Sequence, residues 1–281
     1  MDLFACMAKM PNLKRLEVSM MKRNLDVFMS AFEDFDDVQT FLLPGIETLV
    51  VTSASAFLAS HCPDLKHLIV EDAPSCMVET YVDAATRLMP LHPQLVGGQY
   101  TFLQLTSFDT SANWSAEEIS TLVPLFPRLQ HLHMRSDAFC YRASIPVIMQ
   151  LLGCSLKDLR TLRLNKVGNL DMGFRAVWKR SITACATEAQ RRSLWLQNES
   201  HRVEAENNVV RSAFTSIDRL RECWLGDERV ARRPAGCDGK SALSWVWERK
   251  REDIDVCIQQ SEWAHYRAEK EAVVVCSEVC T

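Results

Sequence analysis

The stretch Leu129-Gln130-His131-Leu132-His133-Met134 decides the fold, because its pattern of spaced apolar residues returns along the chain. Earlier copies read Leu13-Leu16-Val18, Ile46-Leu49-Val51, Leu65-Leu68-Val70 and Leu105-Phe108-Thr110 at the same offsets. Later ones read Leu159-Leu162-Leu164 and Leu220-Cys223-Leu225. Alternation such as Leu132 and Met134 has the period of a half-buried strand, so these side chains should face inward. A short strand that repeats, with helical sequence between copies, cannot bury its apolar face alone; stacking neighbouring units gives one continuous core. The pattern predicts an α/β fold: an irregular leucine-rich-repeat solenoid with short parallel strands on a concave face, helices on the convex face and a C-terminal helical extension.

Because successive side chains leave opposite faces of a strand, the residues between the buried positions should line up in rows on the concave sheet. The central row would hold Glu17, Val50, Ile69, Asp109, His133, Arg163 and Trp224. Its neighbour would hold Arg15, Thr48, His67, Ser107, His131, Thr161 and Glu222. This surface is apolar near its start, acidic at Asp109 and basic by Arg163. Such a mixture fits a protein or peptide partner better than a phosphate backbone, which demands consistent positive charge. Trp224 would be an outward aromatic of the kind that anchors interfaces. The partner-binding set is therefore Glu17, Val50, Ile69, Asp109, His131, His133, Arg163 and Trp224.

Pro11, Pro63 and Pro127 each lie two residues before a copy, with Pro44 nearly equivalent. Proline cannot continue a helix, so each should end a helix and release the chain into a strand. Between copies, Leu25 to Leu42 has Phe28, Met29, Phe32, Phe35 and Val38 at helical spacing, and Met77 to Met89 and Ser144 to Leu152 behave similarly. Ser115 and Glu118 match a capping box, which predicts a helix starting there. The copies begin 33, 19, 40, 24, 30 and 61 residues apart, so the connections must differ in length. The last interval predicts a helical insertion near 174–217 within a repeat region of 1–235. GDERVARRPAGCDGK after Leu225 reads as a loop or linker. A helix from Ser241 to about Val275 would form a C-terminal cap or tail over 236–281.

The formal net charge of −4 gives no global electrostatic reason to expect nucleic acid or an anionic membrane as partner. No run reaches the roughly 18 apolar residues needed to cross a bilayer. Eleven scattered cysteines without a CxxC pair, and a start without an apolar leader, favour reduced thiols in a cytoplasmic or nuclear protein. No catalytic, cofactor or metal site is expected. His131 and His133 share a strand face, but a metal site needs three or four ligands, and solvated histidines on a binding face account for them better. Cys276 and Cys280 read as free thiols, and Asp34, Asp36 and Asp37 as the solvated face of a helix. Gly97-Gly98 lacks the context of a phosphate cradle, and no GxSxG elbow occurs. Arg229, Arg232 and Arg233 read as loop charges.

The phrases Phe126-Pro-Arg-Leu-Gln-His-Leu-His-Met134, Cys62-Pro-Asp-Leu-Lys-His-Leu-Ile-Val-Glu-Asp72 and Cys223-Trp-Leu-Gly-Asp-Glu-Arg-Val-Ala-Arg-Arg233 resemble the irregular leucine-rich-repeat region of fungal F-box-like proteins. The resemblance covers roughly Pro11 to Arg232. It implies repeats that hold a substrate, joined in that family to an N-terminal F-box that docks the adaptor of a cullin-RING ubiquitin ligase. The first copy begins at Leu13, which leaves no room for a helical module of about 40 residues and makes the ligase adaptor a doubtful partner. The expected function is a non-enzymatic protein-protein interaction module resembling those substrate-recognition repeats, with no cofactor. The alternatives are an α/β hydrolase or metal-dependent enzyme with an unrecognised site, and a degenerate family member without activity.

Overall fold

The computed structural model of the chain describes residues 10, 12–19, 43–71, 102–111, 114–136, 141, 143–175, 181, 184–227, 229–234 and 245–249. Contacts group the chain into two compact units, Met1–Asp137 with Ser155–Leu159, and Ala138–Cys154 with Arg160–Thr281. Both mix helix and strand, and most strand pairs are parallel.

In the first unit the copies form strands β1 (Arg15–Val18), β2 (Thr48–Val51), β3 (His67–Val70), β4 (Ser107–Ser111) and β5 (His131–Arg135). Each pairs in parallel with the next, and the register is that of the motif: Leu16 opposite Leu49, Leu49 opposite Leu68, Leu68 opposite Phe108, and Phe108 opposite Leu132. Leu49, Leu68, Phe108 and Leu132 are buried. Removing a leucine side chain of this kind from water contributes about 1.5–3 kcal/mol.

A second regularity precedes each strand. The amide of the first motif residue donates to the carbonyl three residues earlier: Leu13 to Met10, Leu65 to Cys62, Leu105 to Phe102 and Leu129 to Phe126. A proline at the second position of such a turn has its fixed φ already suitable. Pro63 and Pro127 open such turns directly. At Leu43–Ile46 Pro44 is followed by Gly45 at φ 89°, a left-handed conformation that favours glycine. The residue three before the motif is itself apolar, and Leu43, Cys62 and Phe126 are buried. Phe126 lies 5.7 Å from Phe102 and 4.8 Å from Phe108, ring centre to ring centre.

Connections follow the spacing. Only nine residues, Ser53–His61, lie in the coil between β2 and β3, and they form a 3-10 helix rather than an α-helix. At about 2.0 Å rise per residue against 1.5 Å, the tighter coil covers more distance with the same residues. Helix α1 (Ala116–Leu122) begins beside Ser115, as its cap signal predicts, and runs into a 3-10 turn at Val123–Leu125. The expected helices at 25–42 and 77–89 lie outside the described residues.

In the second unit α2 (Ile145–Ser155) leads to β6 (Thr161–Leu164), and the long interval holds a 29-residue helix, α3 (Glu188–Ser216). Its start is fixed by a capping box: Thr187 Oγ1 accepts from the Gln190 amide, and Gln190 Oε1 accepts from the Thr187 amide, both at 3.2 Å. Strand β7 (Glu222–Leu225) pairs in parallel with β6, setting Leu162 opposite Cys223 and Leu164 opposite Leu225.

Two expectations fail beyond this point. The GDERVARR segment is not a linker: Gly226, at φ 71°, reverses the chain, and Arg229–Arg232 forms β8, antiparallel to β7. Nor does a helix run unbroken from Ser241. Val246–Arg249 forms β9, antiparallel to β8, with buried Trp245, exposed Val246 and half-buried Trp247 alternating as a strand requires. Residues past 249 lie outside the described ones.

The inner face of this hairpin meets α3 through buried charge. Arg202 contacts Glu199 at 2.6 Å and Glu206 at 2.7 Å, and Arg229 of β8 reaches Glu206 at 2.8 Å. The Arg229 guanidinium lies 5.1 Å from the Trp247 ring centre, and the Trp247 indole donates to Asn207 Oδ1 at 2.9 Å. Arg233 donates to the Phe214 and Asp218 carbonyls at the end of α3, where a cation complements the helix dipole.

Two stability predictions follow from these contacts. A Cβ on Gly153 of α2 would stand 1.9 Å from the Ser216 carbonyl oxygen. Gly153→Ala should therefore destabilise the protein by about 1–3 kcal/mol despite alanine's higher helix propensity, as read by urea denaturation. Arg202→Ala removes the cation held between the buried carboxylates of Glu199 and Glu206. It should cost about 3–5 kcal/mol in the same measurement.

Candidate functional site

The pleat places the predicted rows as the register requires. Glu17, Val50, Ile69, Asp109 and His133 face one another across β1 to β5, and Arg15, Thr48, His67, Ser107 and His131 form the adjacent row. Exposure along the central row is uneven. Glu17 is open to solvent and lies 3.5 Å from Arg15, an exposed pair that contributes little. Val50, by contrast, is only 5% exposed, so it belongs to the core rather than to a partner-facing surface. Ile69 is half-buried, and His67 and His131 are exposed.

At β4 and β5 the row becomes a built cluster. Asp109 Oδ2 is 2.9 Å from His133 Nδ1, and Asp109 Oδ1 accepts from Arg135 Nε at 2.9 Å. Register makes this possible: Asp109 stands opposite His133, and Arg135 is the next residue on the same face of β5. Burial by itself would raise the Asp109 carboxyl, but hydrogen bonding from His133, with the charges of His133 and Arg135, outweighs it and holds the carboxyl below its usual range. The Trp114 indole donates to the Arg135 carbonyl at 2.7 Å and pins the end of the strand.

Arg135 falls outside the predicted set, because it lies one residue beyond Met134, the last position of the motif. The signal was present as a third polar residue in the alternation His131, His133, Arg135. A second charged group lies at the strand entrances. Glu47 contacts Lys14 and Lys66, each at 2.9 Å, and these bonds lower its carboxyl to about 2.

In the second unit Arg163 stands opposite Trp224, with its guanidinium 5.3 Å from the indole ring centre and a contact to Asp227 at 2.8 Å. Trp224 is 6% exposed and its indole donates to Glu222 Oε2 at 3.2 Å. The expected aromatic anchor is thus a packed residue, covered because Arg163 lies over it. The three arginines read as loop charges are also engaged: Arg229 with Glu206, Arg232 with Glu222 at 3.0 Å, and Arg233 with α3.

Among the described residues no group of three or more His, Cys, Asp or Glu side chains is placed to hold a metal ion. Cys62 and Cys223 are buried, and burial pushes both thiols up to about 12, so neither is a ready nucleophile. No helix among the described residues is long and apolar enough to cross a membrane.

The two lowered carboxyls set an acid limb. A group whose folded pKa lies below its unfolded value stabilises the fold above the unfolded value, and the contribution is lost as pH falls through the folded one. Thermal unfolding should therefore shift to lower temperature as pH drops from about 4.5 towards 2, the range bounded by the usual carboxyl value and that of Glu47. Asp109→Asn should flatten this limb below pH 3.8, the ordinary value for that residue. Added salt should weaken the exposed Glu47 share first.

No family model, curated protein or solved structure matches this chain.

Proposed function

We propose that the chain is a non-enzymatic interaction module that takes a protein or peptide partner on the outer face of β1 to β5. In this reading it works in the manner of the substrate-recognition repeats of F-box-like proteins, within the cytoplasm or nucleus, without a cofactor and without nucleic acid as ligand. The observation that carries the reading is the in-register parallel pairing, which separates a dry row of Leu49, Leu68, Phe108 and Leu132 from an outward row that ends in Asp109 and His133. An outer face of isolated polar groups on a rigid sheet offers register and hydrogen-bonding specificity to an extended chain. Its mixed charge offers no continuous track for phosphates.

A hydrolase reading draws on one feature, the Asp109–His133 pair, since a carboxylate on Nδ1 is how a general base is oriented. It also requires a nucleophile beside the other ring nitrogen. Among the described residues no serine or cysteine hydrogen-bonds to His133, and binding is the better-supported use of the pair.

Affinity capture from the source cell, followed by binding measurements on the recovered partner, tests the assignment. Ile69→Asp combined with His67→Ala should weaken that partner by about tenfold or more, the loss of roughly one anchoring contact. Arg219→Ala, on the turn before β7, should leave it unchanged. Equal binding by all variants would remove the outer face from the proposal.

A further inference from the structure

The cluster at the end of β5 has more hydrogen-bond donors than its own carboxylate can serve. Asp109 has both oxygens engaged, one by His133 and one by Arg135. A guanidinium carries five N–H donors. Among the described residues Arg135 Nε donates to Asp109, and Nη2 is shut from solvent without an acceptor. His133 is held through Nδ1, which leaves Nε2 on the opposite edge of the ring. The Arg135 side chain is 36% exposed and that of His133 16%, while Arg135 Nη2 itself is buried, so an acceptor must settle into the cluster to reach it.

We propose that His133 and Arg135 receive the carboxylate of an acidic peptide segment laid across the outer face of β4 and β5. The inference rests on the outer-face reading above and names the chemistry of its partner. Three features argue for it. A carboxylate is the acceptor that matches the planar fork of arginine and the charged form of the neighbouring imidazole, in which both ring nitrogens donate. The two donors are preorganised: Asp109 fixes both side chains, and the Trp114 indole fixes the strand end that carries Arg135. Arg135 is also the last residue of β5, and its partly exposed side chain leaves this end of the strand open to a segment laid across it.

The choice of carboxylate over phosphate follows from Asp109. Its negative charge stands between the two donors and repels a dianion more strongly than a monoanion. Ser107 and exposed His131 lie beside the pair on the same face and extend the polar surface along the strands.

The test is selection of a displayed library of random peptides, each about ten residues long, on the full chain, followed by fluorescence anisotropy with a synthetic copy of an enriched peptide. Enrichment of Asp or Glu is expected, with affinity falling about tenfold or more on Arg135→Gln or His133→Gln and when the peptide's Glu is replaced by Gln. Arg128→Gln, a charge change in the turn before β5, should leave affinity unchanged. Arg135→Lys keeps the charge but lacks the planar fork, so it should bind at an intermediate level. Circular dichroism of each variant establishes that it is folded, and if Arg135→Gln unfolds, His133→Gln and the Glu-to-Gln peptide decide the matter.

Enrichment of neutral or basic peptides, or acidic peptides indifferent to both substitutions, overturns the carboxylate site while leaving the outer face as a binding surface. Preference for a phosphoserine peptide over its glutamate counterpart also overturns it. Failure to enrich any peptide counts against the outer-face reading itself, and the inference falls with it.

Discussion

One carbonyl per rung holds the first unit in register. The Lys14 carbonyl accepts the amides of Glu47 and Thr48, the Glu47 carbonyl those of Lys66 and His67, the Lys66 carbonyl those of Thr106 and Ser107, and the Thr106 carbonyl those of Gln130 and His131. Each acceptor stands just before its strand, so it sets the next copy at the same height as the last. A shift of one residue would turn every buried leucine outward, and the apolar row therefore enforces what the shared carbonyl begins. The Arg160 carbonyl serves Arg221 and Glu222 in the second unit in the same way.

Register is also what makes chemistry on the outer face. Asp109 and His133 are 24 residues apart in sequence, but equal heights on β4 and β5 bring them to hydrogen-bond distance. Arg135 joins them because β5 runs one residue beyond the motif. The same geometry consumes groups that would otherwise seem available. Trp224 and Arg163 share a height on β7 and β6, so the guanidinium covers the indole and a surface tryptophan becomes a packed one.

Polar residues divide between the two faces for different reasons. On the outer face of the first unit they stand at positions that the period of two leaves outside the core. Against α3 they are buried: Glu199, Glu206 and Asn207 lie in the interior with Arg202, Arg229 and Trp247 as partners. Replacing such a network with apolar residues of similar volume often leaves stability unchanged, whereas breaking it does not.

The positions of seven strands, most of the residues they bury and the rows they form are legible in the leucine pattern, because strand period is a property of neighbouring residues. The turn before each strand is legible too, in the apolar residue three positions ahead of every copy, though proline alone suggests only a helix end. Thr187 and Gln190 mark the start of α3 by local spacing. What tertiary structure alone decided is who meets whom. The antiparallel hairpin of β8 and β9 depends on partners on α3 that sequence spacing does not reveal, and the burial of Val50 and Trp224 depends on what lies over them. The Asp109–His133–Arg135 cluster needs two strands at one height, a distance fixed by backbone pairing and invisible to any pattern confined to a single segment.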